Sequence, residues 1–421
     1  MRKINSIDHQ RKFNVGSLVA IFVTALLIFT LGTVSSIAAT TGPKAVTSKL
    51  GDACPKVGRT VKVVGGSLIC AKVGTKLRWS YPRAKIRVAV ASATIQANND
   101  VAILGVAKGM KYFAQENIEV ENILTAGSIA AVQAVASRQA DITAADLASI
   151  LAAIEKGVPL KIVGGLVSVW PWRIAVLPDS PIASPRDLKG KKIGVISLAS
   201  GSYPYAKGFV EAGDLAFGEA EYIPVGLGAP AAAALTSGKV DALALYTAVY
   251  AQLESAGVAL KYLKNPETFE GVRSISWTVN SDLAKEKPQL VERFLRASYK
   301  ALAFSATSPE KAMYLGYEQY PVLLAGSSKA ARIGPDVKAL TAWLESAGIS
   351  AVGTTRGWPK VWGDIPTQDW LRTQAFATSA GQIKRAITIS NVWLPNFLKA
   401  ANDFDRKAII TEARKYRPNK N

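Results

Sequence analysis

The chain has 421 residues, enough for two or more domains, and its 49% hydrophobic and 19% charged content places it among folded globular proteins rather than disordered ones. A formal net charge of +20 favours anionic solutes, wall polymers or lipid, but its Lys and Arg are scattered, without a long basic run or aromatic–basic interleaving, which argues against nucleic acid. The one His is His9 and the two Cys are Cys54 and Cys70, so Ser-His-acid and Cys-His catalysis and a metal site all lack their residues.

Arg2, Lys3, Arg11 and Lys12 precede an apolar run from Val15 to about Leu31, followed by Ser35-Ser36-Ile37-Ala38-Ala39. Residues 1–38 read as a secretory signal cleaved after Ala38, or else as an uncleaved membrane anchor. No lipid-attachment box precedes Cys54, because Asp52 puts a charge where an apolar residue is needed. An even Cys pair on an exported chain reads as a disulfide, contributing about 3 kcal/mol through loop closure. Residues 39–83 form a small separate segment: a tether, then a stapled hairpin with its turn at Gly65-Gly66, ending at Trp79. It is a spacer or a wall-binding element.

From Lys85 onward strands and helices alternate. Ile86, Val88 and Val90 make a strand. Asp100 caps a helix carrying Ile103, Val106, Ala107, Met110 and Phe113 on one face. A strand at Ile118 and Val120, a helix capped by Ser128, a short strand at 142–144, an Ala/Leu helix and a buried strand at 160–167 follow. Ser184, Pro185 and Gly190 bound a short helix, 192–196 is a strand, and Ser200-Gly201-Ser202-Tyr203 opens another helix, an order that makes a backbone N–H cradle for a small anion. After strands at 222–225 and 240–245 the chain turns to long helices starting at Pro288, Pro309 and Pro335. Such β-α-β-α order predicts parallel sheets covered on both faces, with ligands at the carboxyl ends of the strands.

Several stretches, in order, carry a resemblance. They are 107–121 with its Tyr112-Phe113 and acidic strand, 126–142 with its Gly turn and Asp141-Ile142 exit, Asp179-Ser180 with Asp187-Leu-Lys-Gly-Lys191, and Pro230–Leu235 with Gly238–Ala242. Together they resemble the aliphatic-sulfonate, nitrate and taurine-binding solute-binding proteins of ABC importers, related to binders of thiamine-pyrimidine precursors. The resemblance implies an α/β, two-lobe, periplasmic-binding-protein-like (type II) fold, mainly parallel sheets with helices on both faces. Lobe one would span 84–174 and return in 272–421, and lobe two would span 175–271, with the Cys segment outside the pattern. It also implies an extracytoplasmic protein, expected as a monomer, that delivers a sulfonate-, nitrate-, taurine- or pyrimidine-like solute to permease subunits. No cofactor is implied, and the membrane is reached only through the permease or an uncleaved N-terminus.

Strand ends supply the candidate ligand contacts: Ser92, Thr94 and Gln96 after the first strand, then Gly127 and Ser128 at a helix N-terminus. Asp146 would fix a ligand cation or hold a loop, and Ser200, Gly201 and Ser202 come from lobe two. Trp170 and Trp172, where the chain crosses between lobes, and Tyr203 and Tyr246 would stack on a flat or apolar solute. Many family members carry Trp near the position of Tyr246. The thiamine-pyrimidine synthase relatives use a His and a Cys-rich stretch that the body of this chain lacks, so no catalytic residue is carried over. The alternatives are a secreted carboxylate-dependent enzyme and a wall- or polymer-binding protein.

Overall fold

The computed structural model describes residues 48–63 and 66–420; the leader or anchor expectation lies outside them. The cysteine segment is a three-stranded antiparallel sheet rather than a single hairpin: β1 (Thr60–Val63), β2 (Gly66–Val73) and β3 (Lys76–Ser80). Alternation puts Leu68, Cys70 and Trp79 on one side, where they bury together, and the Cys54–Cys70 disulfide ties the preceding coil over them.

Two five-stranded sheets make the two lobes. The first has the order β5-β4-β6-β13-β7, from β4 (Ala84–Val90), β5 (Ile118–Leu124), β6 (Ile142–Asp146), β7 (Leu160–Gly165) and β13 (Ile275–Asn280). The second has the order β10-β9-β11-β8-β12, from β8 (Trp172–Val176), β9 (Lys192–Val195), β10 (Glu221–Pro224), β11 (Ala242–Tyr246) and β12 (Lys261–Tyr262). The strands linked by helical crossovers pair in parallel. The strands that enter after the chain crosses between lobes, β8 and β13, pair antiparallel. Cleft-facing ends of β8 and β13 are therefore their starts, whereas those of the parallel strands are their finishes.

The long helix Pro288–Thr307 lays an apolar face on the first sheet, where Phe294 meets Trp277 edge-on at 5.0 Å. A second core runs through Ile150, Tyr205, Trp370 and Phe376, joining the backs of the lobes through the Thr367–Ser379 helix.

Local capping differs from expectation at three points. Asp100 caps no helix; its carboxylate turns back to accept from the Gln96 N–H (2.8 Å) and the Asn99 amide (2.6 Å), and residues 101–105 form a wide, fully buried turn. Gly127, not Ser128, occupies the cap position of the Ser128–Ala136 helix. The last long helix starts at Lys329, capped by the Ser328 hydroxyl accepting from Ala331 N–H, so Pro335 lies inside it.

Candidate functional site

The facing edges of the two sheets enclose a cavity of about 370 Å³. The chain after β4 brings Ser92, Thr94 and Gln96 to it, β6 ends in it at Asp146, β11 at Tyr246, and the turn after β9 supplies Ser197, Ser200 and Gly201. Of the residues singled out from sequence, Ser92, Thr94, Gln96, Ser128, Asp146, Trp172, Ser200, Gly201 and Tyr246 converge there.

Four others do not line it. Trp170 is turned into an aromatic cluster, edge-on to Phe376 at 4.9 Å and Tyr205 at 5.9 Å. Ser202 is fully buried, its hydroxyl bonded to Ser200 Oγ (2.7 Å) and accepting from Ile196 N–H. Tyr203 lies on another groove, edge-on to Tyr222. Gly127 sits where the lobes touch.

Sequence reasoning missed Asn99, Ser274, Ile275 and Trp343. Ser274 and Ile275 precede or open the antiparallel β13, so a search of carboxyl strand ends passes over them. Trp343 arrives from the Lys329–Ser346 helix, whose spacing reports a buried face and not what that face meets.

A chain of hydrogen bonds fixes the cavity floor. Trp172 Nε1 donates to Ser274 Oγ (3.3 Å), Ser274 Oγ donates to Asp146 Oδ2 (3.1 Å), and Asp146 N–H donates to Ser128 Oγ (3.1 Å). Asp146 Oδ1 accepts from Ser149 N–H, capping the next helix. Behind the indole, Tyr205 stacks on Trp172 at 5.9 Å, and Tyr246 meets it edge-on at 5.6 Å. Gly201 permits a close approach, since a Cβ there would lie 3.1 Å from Asp146 Cβ and 3.2 Å from Trp172 Cζ2 and would make a neighbour give way slightly; its φ of −63° is ordinary, so space and not backbone conformation is what glycine supplies.

The anion cradle expected at 200–203 is occupied by the protein itself. Ser202 N–H donates to Ser200 Oγ, and across the cleft Ile129 N–H, at the start of the other helix, donates to the Ala199 carbonyl (2.9 Å). Among the described residues, Asp146 is the one charged side chain lining the cavity, and no Lys or Arg does so. Burial pushes its carboxyl up to about 6, against the pull of its Ser149 and Ser274 hydrogen bonds. Beside the cavity, burial pushes Asp100 up to about 7. Among the described residues no cluster of His, Cys, Asp and Glu has the form of a metal site.

Comparison with known proteins fits this geometry. The NMT1/THI5-like family model matches residues 98–312, which run from just after β4 through β13 and the long helix Pro288–Thr307. The chain belongs to the NMT1/THI5-like family. It is 26% identical over 252 residues to the riboflavin-binding protein RibY of Chloroflexus aurantiacus, covering 59% of this chain and 68% of that one. A solved structure from Bordetella bronchiseptica superposes with a TM-score of 0.60 at 20% identity, covering 76% of this chain and 98% of that one. The periplasmic aliphatic sulphonate binding protein SsuA of Escherichia coli gives 0.55 at 16% identity, covering 75% and 93%. At those identities the likeness is one of fold, and the fold is that of the periplasmic binding proteins.

Proposed function

We propose that this chain is the extracytoplasmic solute-binding component of an ABC importer and that it takes a small, flat, uncharged organic solute between its lobes for delivery to membrane permease subunits. The observation that carries this reading is the make-up of the cleft. Trp172, Tyr246 and Trp343 offer apolar and aromatic faces, while Gln96, Asn99, Ser128 and Ser200 place a few polar groups among them. That is the usual composition of a site for a small organic molecule, and 370 Å³ lies within the usual size range.

The same make-up divides the solutes that the sequence leaves open. A sulfonate or nitrate group, the sulfonate end of taurine included, would meet no Lys or Arg among the described lining residues and would lie beside the Asp146 carboxylate. Burying an unpaired charge costs several kcal/mol, more than one added hydrogen bond returns. A pyrimidine-like or larger fused heterocycle avoids that cost, stacks on Trp172 and can offer N–H groups to Asp146. The riboflavin-binding relative supports this choice, and the leader-like residues 1–38 support export. The experiment is mass spectrometry of small molecules released on denaturing the protein purified without dialysis. An unmodified planar heterocycle at near one per chain is expected; a sulfonate in that amount, or a turned-over product, contradicts the reading.

A further inference from the structure

We infer that Gly127 is a closure residue: its missing side chain lets the two lobes latch backbone to backbone, and this latch sets how far they close. It touches no solute, and the inference rests on the two-lobe fold rather than on the identity of the solute.

Three observations meet at one point. Gly127 has φ +142° and ψ −172°, a conformation that residues with a Cβ rarely adopt, and it precedes the Ser128–Ala136 helix of lobe one. A Cβ at Gly127 would lie 2.7 Å from Ser200 Cα and 2.8 Å from the Ala199 carbonyl oxygen, both backbone atoms of the facing lobe-two loop that cannot swing aside as a flexible side chain would. On either side of that contact a hydrogen bond crosses between lobes: Ile129 N–H to the Ala199 carbonyl (2.9 Å), and Ser197 Oγ–H to the Ala126 carbonyl (2.7 Å).

The helix N-terminus expected to hold an anion instead holds a carbonyl of the opposite lobe, the same partial negative charge that a helix start favours. Nothing in the latch needs a solute atom, so it favours the closed arrangement whether or not the cleft is filled. A solute that binds only the closed form gains apparent affinity in proportion to the population of that form. Gly127 is thus a positioning residue for binding, acting through the lobe separation.

The test measures lobe separation directly. Spin labels on Gln133→Cys in lobe one and Lys239→Cys in lobe two report their distance by pulsed electron resonance, in protein stripped of solute by unfolding and refolding. The native cysteines are paired with each other and take no label. Gly127→Ala is expected to move the distribution outward by roughly 2 Å or more, the displacement that marks a domain rearrangement. Ser197→Ala, which loses one crossing hydrogen bond without backbone strain, should shift it less and in the same direction. Wild-type distances in both variants would overturn the latch. If Gly127→Ala fails to refold, Ser197→Ala decides alone: an outward shift supports the latch, and none overturns it. Because no solute is added, failure here is separate from failure of the solute reading.

Discussion

The N-terminal sheet and the cleft have opposite chemistry. Residues 48–83 carry eight Lys and Arg against a single acid, Asp52, whereas the described residues that wall the cleft are aromatic, aliphatic and small polar side chains with Asp146 and no Lys or Arg. The net charge of +20 is a property of the whole chain and does not describe the cleft, so a ligand class cannot be read from it. Screening makes the same point physically: an exposed Lys more than about 10 Å away contributes little at ordinary salt, while the buried Asp146, when ionised, acts on whatever enters with little screening.

That contrast is exposed to attack at several residues. Gly201→Val should abolish measurable solute binding, since its side chain would press against Asp146 and Trp172; calorimetry with riboflavin as the probe reads it, and wild-type affinity would remove Gly201 from the site. Trp172→Ala should weaken the same binding by roughly 10- to 100-fold, the worth of about 1.5–3 kcal/mol of lost aromatic contact. A loss below threefold would mean that the solute does not stack there.

The third concerns pH. Asp100 and Asp146 hold their protons more tightly in the folded chain than in the unfolded one. Their neutral forms therefore support the fold fully below about pH 4, and that support is lost as pH rises through about 6 to 7. Asp100→Asn should make the protein more stable than wild type at pH 8, on the order of 2–4 kcal/mol relative to their difference at pH 4. Urea unfolding at the two pH values measures this, and a difference that does not change with pH would show Asp100 to be charged throughout.

The smallest effect on binding is expected from the basic sheet. Cys54→Ser should cost about 3 kcal/mol of local stability and leave solute affinity within twofold. A large loss of affinity would tie that sheet to the cleft.

Much of this arrangement is legible in the sequence, and the exceptions share a cause. The parallel strands announce themselves through β-α-β order, so the sites at their finishes, Asp146 and Tyr246 among them, follow from topology. Ser274 does not, because its strand runs the other way after a return from the second lobe. Trp170 and Trp172 look alike in sequence, two residues apart, yet one stacks in the cleft and the other packs against Phe376. Gly127 and Ser128 read as an anion-binding helix start, but the Ile129 N–H there already donates to a carbonyl some 70 residues away, and of the pair Ser128 alone lines the cavity. Local pattern identifies groups able to bind; only tertiary structure shows which are already satisfied.

The cleft's lack of cations is tested most directly by parallel titration calorimetry on one preparation with riboflavin and with methanesulfonate, at low and at physiological salt. Heat should follow the planar, uncharged molecule and depend little on salt, with none resolved for the sulfonate. Tight, salt-sensitive binding of methanesulfonate, with riboflavin silent, would contradict the assignment of this cleft to an uncharged heterocycle.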